Sequence, residues 1–433
     1  MRAAVPATAA ATSAPAPPLP HRWLALRWGL TRLLAVAVLV WTPEGSILGD
    51  VRYYWREMGE LFGPGGLGGV LPEYPAPAMA VFVPPWWVAG GREDPYLRVF
   101  VLLMLATDAA FTWVLWRSAG RRGTPGVWLW LLLVPTLGPL TYARFDLVSG
   151  ALAGAALLAL AARRPGTAGL LTGAGAAAKL WPAALLPALL VHRSGRGRVV
   201  AGVGAVGAVA VVGTLATGGI DRLLSPLTWQ GDRGLQIESL FAVPLLWARA
   251  VSPSSYDAPY TRYFAFEIEG PGAASFQALS TLAMLAMLAL LAWLWWRALR
   301  RTPAADAIRV AGLLSLGTAC LLVITNKTLS PQYLLWVGGL LAALGCVTPD
   351  EPTLPRLGRL LLVTCLATQV IYPLGYGMLT SEAWYGWIGV SLLTARNLAL
   401  VVLTVLVLRR VVDLTRAPAA SPESPVTARP VGR

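Results

Sequence analysis

The sequence contains few charged residues for its length. Only 13% of its 433 residues are Asp, Glu, Lys or Arg, whereas 56% are hydrophobic and the mean hydropathy is +0.61. Soluble domains carry about 25% charged residues. A chain with so little polar surface cannot face water on all sides, so we predict an all-α polytopic membrane protein.

Cysteine and histidine are also scarce. Cys320, Cys346 and Cys365 all lie in apolar runs, where we interpret them as core residues that form no disulfide framework. His21 and His192 are predicted to be cytoplasmic, and the sequence has no Asp-x-Asp, metal-ligand cluster or Walker-type loop. These absences disfavour an enzyme that uses a nucleotide sugar and a divalent metal, so we expect neither a metal nor a nucleotide cofactor.

Lysine is rare, although the net charge is +14. The arginines form short clusters between apolar runs, which the positive-inside rule predicts for cytoplasmic loops, so the charge does not indicate nucleic-acid binding. The two lysines, Lys179 and Lys327, lie outside these clusters. Lys327 suggests a need for a compact ammonium group, and Lys179 in its Gly/Ala-rich run suggests a functional or helix-pairing role.

The apolar segments predict about 10–12 transmembrane helices in one domain, residues 21–412. Disordered cytoplasmic tails are predicted at 1–20 and 413–433, which are rich in Ala and Pro. The predicted spans are 23–41, 97–116, 127–142, 145–162, 199–217, 274–296, 306–325, 333–347, 357–378 and 386–408.

Two further apolar runs are interrupted. The run 78–90 is too short to cross a bilayer of about 30 Å, so it predicts an interfacial or re-entrant piece. The run 167–192 is broken by Lys179 and Pro182 and has basic clusters on both sides, which predicts a pair of re-entrant half-helices. A short apolar helix is also predicted at 240–251.

With the N-terminus in the cytoplasm, every large arginine cluster falls inside and every long polar segment falls outside. The outer segments are 42–95, 218–272, 325–332 and 379–385. The first is predicted to be a long polar loop that contains interfacial helices and carries Asp50. Because polar side chains gather at this face, we expect the active site on the outer, periplasmic or extracellular, side of the cell membrane.

Each of these polar groups also has a purely structural interpretation. Asp50 can be a solvated loop carboxylate, and Arg144 can form a turn-closing pair with Asp146. Arg233 and Glu238 can belong to a solvated loop, and the arginine inside the last span can extend its side chain towards water.

An ordered set of motifs nevertheless resembles glycosyltransferase family 87. The motifs are Asp50 after the first span, Glu73-Tyr74-Pro75, Ala143-Arg144-Phe145-Asp146, Ala178-Lys179-Leu180-Trp181-Pro182, Arg233-Gly-Leu-Gln236-Ile-Glu238-Ser239 and Asn326-Lys327-x-x-Ser330-Pro331-Gln332-Tyr333. They follow the family order over residues 23–410. The sequence departs from the family at Tyr74-Pro75-Ala76-Pro77, where the pattern is Tyr-Pro-Pro.

The resemblance implies a GT-C fold and a glycosyltransferase activity. The family includes actinobacterial α-mannosyltransferases that use polyprenyl-phosphate-mannose, so it implies this donor and a glycolipid or cell-envelope glycan acceptor. A lipid phosphate is already a good leaving group, so one general base suffices, unlike the two carboxylates of glycoside hydrolases. We expect Asp50 to be that base and the transfer to invert the anomeric carbon.

The resemblance also suggests which residues bind the substrates. Cationic side chains are expected to hold the donor phosphate and stabilise its growing charge. These are Lys327, Arg233, Arg144 and Arg396. Further substrate contacts are expected from Arg52, Tyr53, Tyr74, Gln236, Glu238 and Gln332.

Two other functions remain open from the sequence. Broken helices and intramembrane charges (Asp108, Lys179, Arg396) also suit a transporter or lipid flippase, although we find no inverted repeat of the kind many transporters have. The second alternative, a membrane scaffold without catalytic activity, does not explain the motifs at the outer face. The acceptor can be a phosphatidylinositol mannoside, a lipoglycan or another envelope glycan.

Overall fold

The structure, a computed structural model, describes residues 20–42, 47–63, 66–120, 124–381 and 386–416. The predicted tails lie almost wholly outside these ranges, as do parts of the predicted outer segments 42–95 and 379–385. The described chain consists of helices joined by short 3₁₀ turns, with three isolated antiparallel β-bridges. The all-α prediction is therefore confirmed.

The first half of the chain contains eight helices within the described residues. Most are rich in Leu, Ala and Val, which form helices readily when the backbone must satisfy its own hydrogen bonds. They are α1 (His21–Trp41), α2 (Gly49–Leu61), α3 (Met79–Ala89), α4 (Glu93–Ala119), α5 (Pro125–Leu137), α6 (Asp146–Ala161), α7 (Pro165–Ala178) and α8 (Leu186–Leu189).

The second half continues in the same way. The helices described there are α9 (Arg196–Asp232), α10 (Val243–Val251), α11 (Ala273–Arg301), α12 (Ala307–Thr325), α13 (Leu334–Val347), α14 (Leu354–Gln369), α15 (Gly377–Thr380) and α16 (Gly386–Leu414). The helix α9 is kinked at Gly219, where φ is 71° and only glycine is free of strain.

Seven helices in the described ranges are long and apolar enough to cross a membrane, so the chain is a multi-pass membrane protein. They are α1, α4, α9, α11, α12, α14 and α16, two of them with short extensions. The helices α5, α6 and α13 are apolar but have 13 to 16 residues, fewer than the roughly 20 that a full span requires. The number of 10–12 spans therefore stays a prediction.

The short helices α6 and α13 run parallel at the centre of the bundle with their backbones in near contact. A Cβ atom added to Gly150 would lie 2.5 Å from the carbonyl oxygen of Leu335, and one added to Gly339 would lie 2.4 Å from that of Gly150. Small residues permit this approach between membrane helices. The packing places the N-terminal ends of both helices, including Asp146 in the first turn of α6, at the same end of the bundle.

The first outer segment contains helices, as predicted, but Asp50 lies in one of them rather than in a loop. Asp50 lies in the first turn of α2. The buried side chains Val51, Tyr54 and Met58 follow one another at helical spacing and pack into the core. The predicted interruption of the run 167–192 is confirmed, because α7 ends just before Lys179.

Candidate functional site

The structure contains a cavity of about 360 Å³ between α2, the start of α6 and the end of α7 at Lys179. The segments around residues 233 and 331 complete its wall. Ligand pockets in proteins have volumes of about 300–1,000 Å³. Eight of the eleven residues predicted for catalysis and substrate binding line this cavity. They are Asp50, Tyr53, Tyr74, Arg144, Arg233, Gln236, Glu238 and Gln332. The other three, Arg52, Lys327 and Arg396, do not line it.

Asp50 forms an ion pair with Arg144 at the cavity wall. The Nε atom of Arg144 lies 2.9 Å from Oδ2 of Asp50. The carboxylate keeps 27% of its exposure, so it remains accessible from the cavity. Burial raises the pKa of Asp50, and attraction to Arg144 opposes this shift only in part. A carboxylate of raised basicity is what general base catalysis requires near neutral pH.

Arg144 is buried and uses its remaining nitrogens to fix its own position. Its Nη1 atom donates to the carbonyl oxygens of Ile47 and Ala143, both at 2.9 Å. Its Nη2 atom donates to the hydroxyl of Tyr372 at 2.9 Å. Arg144 therefore joins the turn before α6 to the segment before α2, and it holds Asp50 in place. It does not pair with Asp146, so the turn-closing interpretation is wrong.

Asp146 pairs instead with Lys179, at 2.7 Å from the ammonium nitrogen. Its Oδ1 atom also accepts a hydrogen bond from Nε1 of Trp336 at 2.8 Å. The Lys179 ammonium lies 5.2 to 5.4 Å from the centres of four aromatic rings and lines the cavity. These rings belong to Tyr74, Phe145, Tyr333 and Trp336. Such contacts stabilise a desolvated cation.

Arg233 contributes the third cation of the cavity wall. Its Nε atom lies 3.6 Å from Oε1 of Glu267, whose Oε2 accepts a hydrogen bond from the backbone of Gly234 at 3.1 Å. Both side chains of the ion pair are less than 10% exposed. The segment around Arg233 is therefore a packed part of the site, and the solvated-loop interpretation is wrong for it.

Glu238 is buried and forms an ion pair and a hydrogen bond with Arg396. The neighbouring Asn397 donates to the backbone carbonyl of Glu238 at 3.2 Å. Glu238 lines the cavity and Arg396 lies behind it. The arginine that we expected to contact the donor phosphate is thus occupied by a carboxylate within the protein.

Lys327 also acts away from the cavity. Its ammonium donates to the carbonyl oxygens of Gly231 at 2.8 Å and Arg233 at 2.5 Å. The backbone of Gln236 in turn donates to the carbonyl oxygen of Lys327 at 3.0 Å. Burial lowers the pKa of Lys327. Its compact ammonium therefore positions the segment that carries Arg233.

Arg52 does not line the cavity. Its Nε atom is 3.0 Å from Oε1 of Glu93, and the side chains are 30% and 38% exposed. An ion pair this exposed contributes little stability.

Sequence reasoning did not assign site roles to several residues that line the cavity. Glu73 was noted as an outer carboxylate only, and burial raises its pKa to about 7. Aromatic side chains from the outer segment 218–272 also line the cavity, and the cluster of aromatics at 260–266 was an available signal. The aromatic residues in question are Trp229, Tyr260, Tyr263, Phe264 and Phe266. Such rings suit contact with the apolar faces of a sugar.

The match to a known family agrees with the motifs. The model of glycosyltransferase family 87 matches residues 73–325, which is more than half of the chain. This range includes Glu73, Arg144, Lys179 and Arg233, whereas Asp50 precedes it. Searches of curated proteins and of solved structures give no match.

Proposed function

The chain belongs to glycosyltransferase family 87, and we propose that it transfers mannose from a polyprenyl-phosphate donor to a glycolipid or cell-envelope glycan. The proposed reaction takes place at the outer face of the membrane and inverts the anomeric carbon. It requires neither a metal nor a nucleotide. The observation that carries the proposal is the accessible carboxylate of Asp50, held against Arg144 in the cavity.

In the proposed reaction, Asp50 is the general base. The acceptor hydroxyl oxygen attacks the anomeric carbon, and its proton passes to Asp50. The bond between the anomeric carbon and the phosphate oxygen breaks, and the electron pair leaves with the polyprenyl phosphate. This leaving group needs no proton, so a second catalytic acid is unnecessary.

Arg233 and Lys179 are the best-placed cations for the donor phosphate. Both line the cavity. The Nη atoms of Arg233 make no hydrogen bond to any residue that the structure describes, and Lys179 uses one donor on Asp146. Both Nη atoms of Arg144, by contrast, already donate hydrogen bonds within the protein. We therefore assign it to orienting the base.

The direction of the helices supports an outer site. The cavity lies where α6 begins, and α6 ends just before Arg163 and Arg164. The helix α11 ends with Arg300 and Arg301, and these basic ends suit the cytoplasmic side. The opposite, cavity end is then exposed to the outside.

A transfer assay with membranes and radiolabelled polyprenyl-phosphate-mannose tests the proposal. Asp50→Asn should lower turnover by about 10²–10⁴-fold, because it removes a general base without changing side-chain shape. Asp94→Asn, which changes an exposed carboxylate in the first turn of α4, is the matched control and should keep full activity.

If the folded Asp50→Asn variant keeps full turnover, the assignment of Asp50 as the general base is overturned. Failure of the wild-type protein to use any polyprenyl-phosphate sugar would overturn the donor. Movement of the intact sugar lipid across vesicles without formation of a glycosidic bond would favour the flippase.

A further inference from the structure

The carboxylates around the cavity fall into two groups. Four of them have a cationic partner within 4 Å, so each pair is close to neutral. These pairs are Asp50–Arg144, Asp146–Lys179, Glu267–Arg233 and Glu238–Arg396. Glu73 also lines the cavity, but within the described ranges it has no ion-pair partner. Its Oε2 atom accepts a hydrogen bond from the hydroxyl of Tyr53 at 3.2 Å.

The turn that carries Glu73 is fixed on both sides. Arg222 of α9 donates to the carbonyl oxygen of Tyr74 at 3.0 Å and lies 3.4 Å from that of Leu71. The carboxylate of Glu57 in α2 accepts a hydrogen bond from the backbone of Leu71 at 2.9 Å. Two helices therefore hold the backbone of the turn on either side of Glu73, and the hydrogen bond from Tyr53 directs its side chain.

The charges that face Glu73 favour its neutral form. Burial raises its pKa to about 7, and the negative charges of Glu57 and Asp50 on α2 act in the same direction. The hydrogen bond from the backbone of Glu73 itself and the hydrogen bond from Tyr53 oppose the shift. Arg222 is the facing cation on α9, and its Nη donors are engaged by carbonyl oxygens and a serine hydroxyl.

We propose that Glu73 is protonated when the donor is bound and donates a hydrogen bond to it, so that donor binding at alkaline pH takes up a proton. The proposal rests on the lipid-phosphate donor of the proposed function. A phosphodiester adds one negative charge to a wall whose ion pairs are otherwise neutral. A second negative charge at Glu73 would repel it, whereas a carboxylic acid offers an O–H donor.

Asp50 and Glu73, which both line the cavity, then have opposite protonation states during the reaction. Asp50 must be ionised to accept a proton, and Glu73 must be neutral to bind the donor. Enzymes that use two carboxylates in different roles separate their pKa values in this way. Asp50 limits the activity at low pH, and Glu73 limits donor affinity at high pH.

The expected change of donor affinity with pH follows from the fraction of molecules in which Glu73 is protonated. Apparent affinity falls in proportion to the fraction of protein in the competent form. With a pKa of about 7, roughly nine in ten molecules are competent at pH 6 and roughly one in ten at pH 8. Donor affinity should therefore weaken about tenfold from pH 6 to pH 8.

Equilibrium titration with polyprenyl-phosphate-mannose over pH 6 to 8.5 tests this inference. The measurement uses the full chain in detergent without acceptor, which prevents transfer and leaves the Asp50–Arg144 pair intact. The variant Glu73→Gln should retain the affinity seen at pH 6 and abolish the weakening at pH 8. Glu60→Gln, an exposed change on α2, should leave the tenfold dependence unchanged.

The variant Tyr53→Phe provides a second, independent test of the inference. Its hydroxyl stabilises the ionised form of Glu73, so its removal should move the midpoint of the pH dependence upwards. An unchanged pH dependence in Glu73→Gln would overturn the inference, as would a downward shift in Tyr53→Phe. If the chain binds no polyprenyl-phosphate sugar at any pH, the proposed function itself fails. Binding with a persistent pH dependence refutes only the role of Glu73.

Discussion

The buried pair Glu238–Arg396 allows a quantitative test of how this site is held together. Both side chains are no more than 1% exposed, and the pair joins the outer segment 218–272 to α16. Removing one partner of such a pair leaves an uncompensated buried charge, which costs about 3–5 kcal/mol. We expect Arg396→Met and Glu238→Gln each to destabilise the protein by this amount.

The double variant should behave differently from the sum of the two single variants. The Nε and Nη1 atoms of Arg396 have no hydrogen-bond partner within the described chain, so the pair is incompletely satisfied. Replacing an imperfect buried pair with neutral side chains is often close to neutral. We expect the combined change to recover most of the loss, with a coupling free energy above about 2 kcal/mol.

Unfolding by denaturant in detergent micelles, for the wild type and three variants, measures these free energies. The reasoning is refuted if Arg396→Met costs less than about 1 kcal/mol, because the lower limit for a broken buried pair is about 3 kcal/mol. It is equally refuted if the losses of the two single variants add in the double variant. Either result would mean that Arg396 does not neutralise Glu238 and is available for the donor phosphate.

Three further predictions concern the supports of the site. Lys327→Met loses two charged hydrogen bonds worth about 1.5 kcal/mol each that hold the segment of Arg233, so it should weaken donor binding between about tenfold and about a hundredfold in equilibrium titration; unchanged affinity would contradict this. Asp108→Asn should lower the free energy of unfolding by about 3–5 kcal/mol, since its buried arginine partner in α1 then lacks a counter-charge; a loss below about 1 kcal/mol would count against it. Gly126→Ala should destabilise by at least about 1–3 kcal/mol, because the new Cβ would lie 2.0 Å from a backbone oxygen of α13. Gly207→Ala, which meets no atom within 4 Å, is its control and should be neutral or slightly stabilising.

The sequence predicted that the site residues come together on one face, because membrane topology is strongly constrained. Arginine clusters set the orientation, so turns that are distant in sequence were assigned to one face. Asp50, Arg144, Arg233 and Gln332 indeed line one cavity. The order of the motifs indicated glycosyltransferase family 87, and the family model that matches residues 73–325 confirms it.

The pairing of charges could not be predicted in the same way. The sequence indicates the face on which a charged group lies, but not which opposite charge packs against it. Arg396 and Lys327 were therefore expected to bind phosphate, and the structure places carboxylate or carbonyl oxygens at both. Interfacial helices were predicted in the first outer segment, but none was placed at Asp50, because this stretch mixes polar and apolar residues. Its spacing of Val51, Tyr54 and Met58 was nevertheless visible in the sequence.

The two lysines of the chain have similar structural roles. Lys179 and Lys327 each lie where a helix has just ended, and each ammonium holds two chain segments together through short contacts. An ammonium donates in several directions from one atom, whereas a guanidinium is a planar fork that needs more space. At Lys179 the space is limited by four aromatic rings. The two lysines therefore mark the two positions where the cavity wall depends on a compact cation.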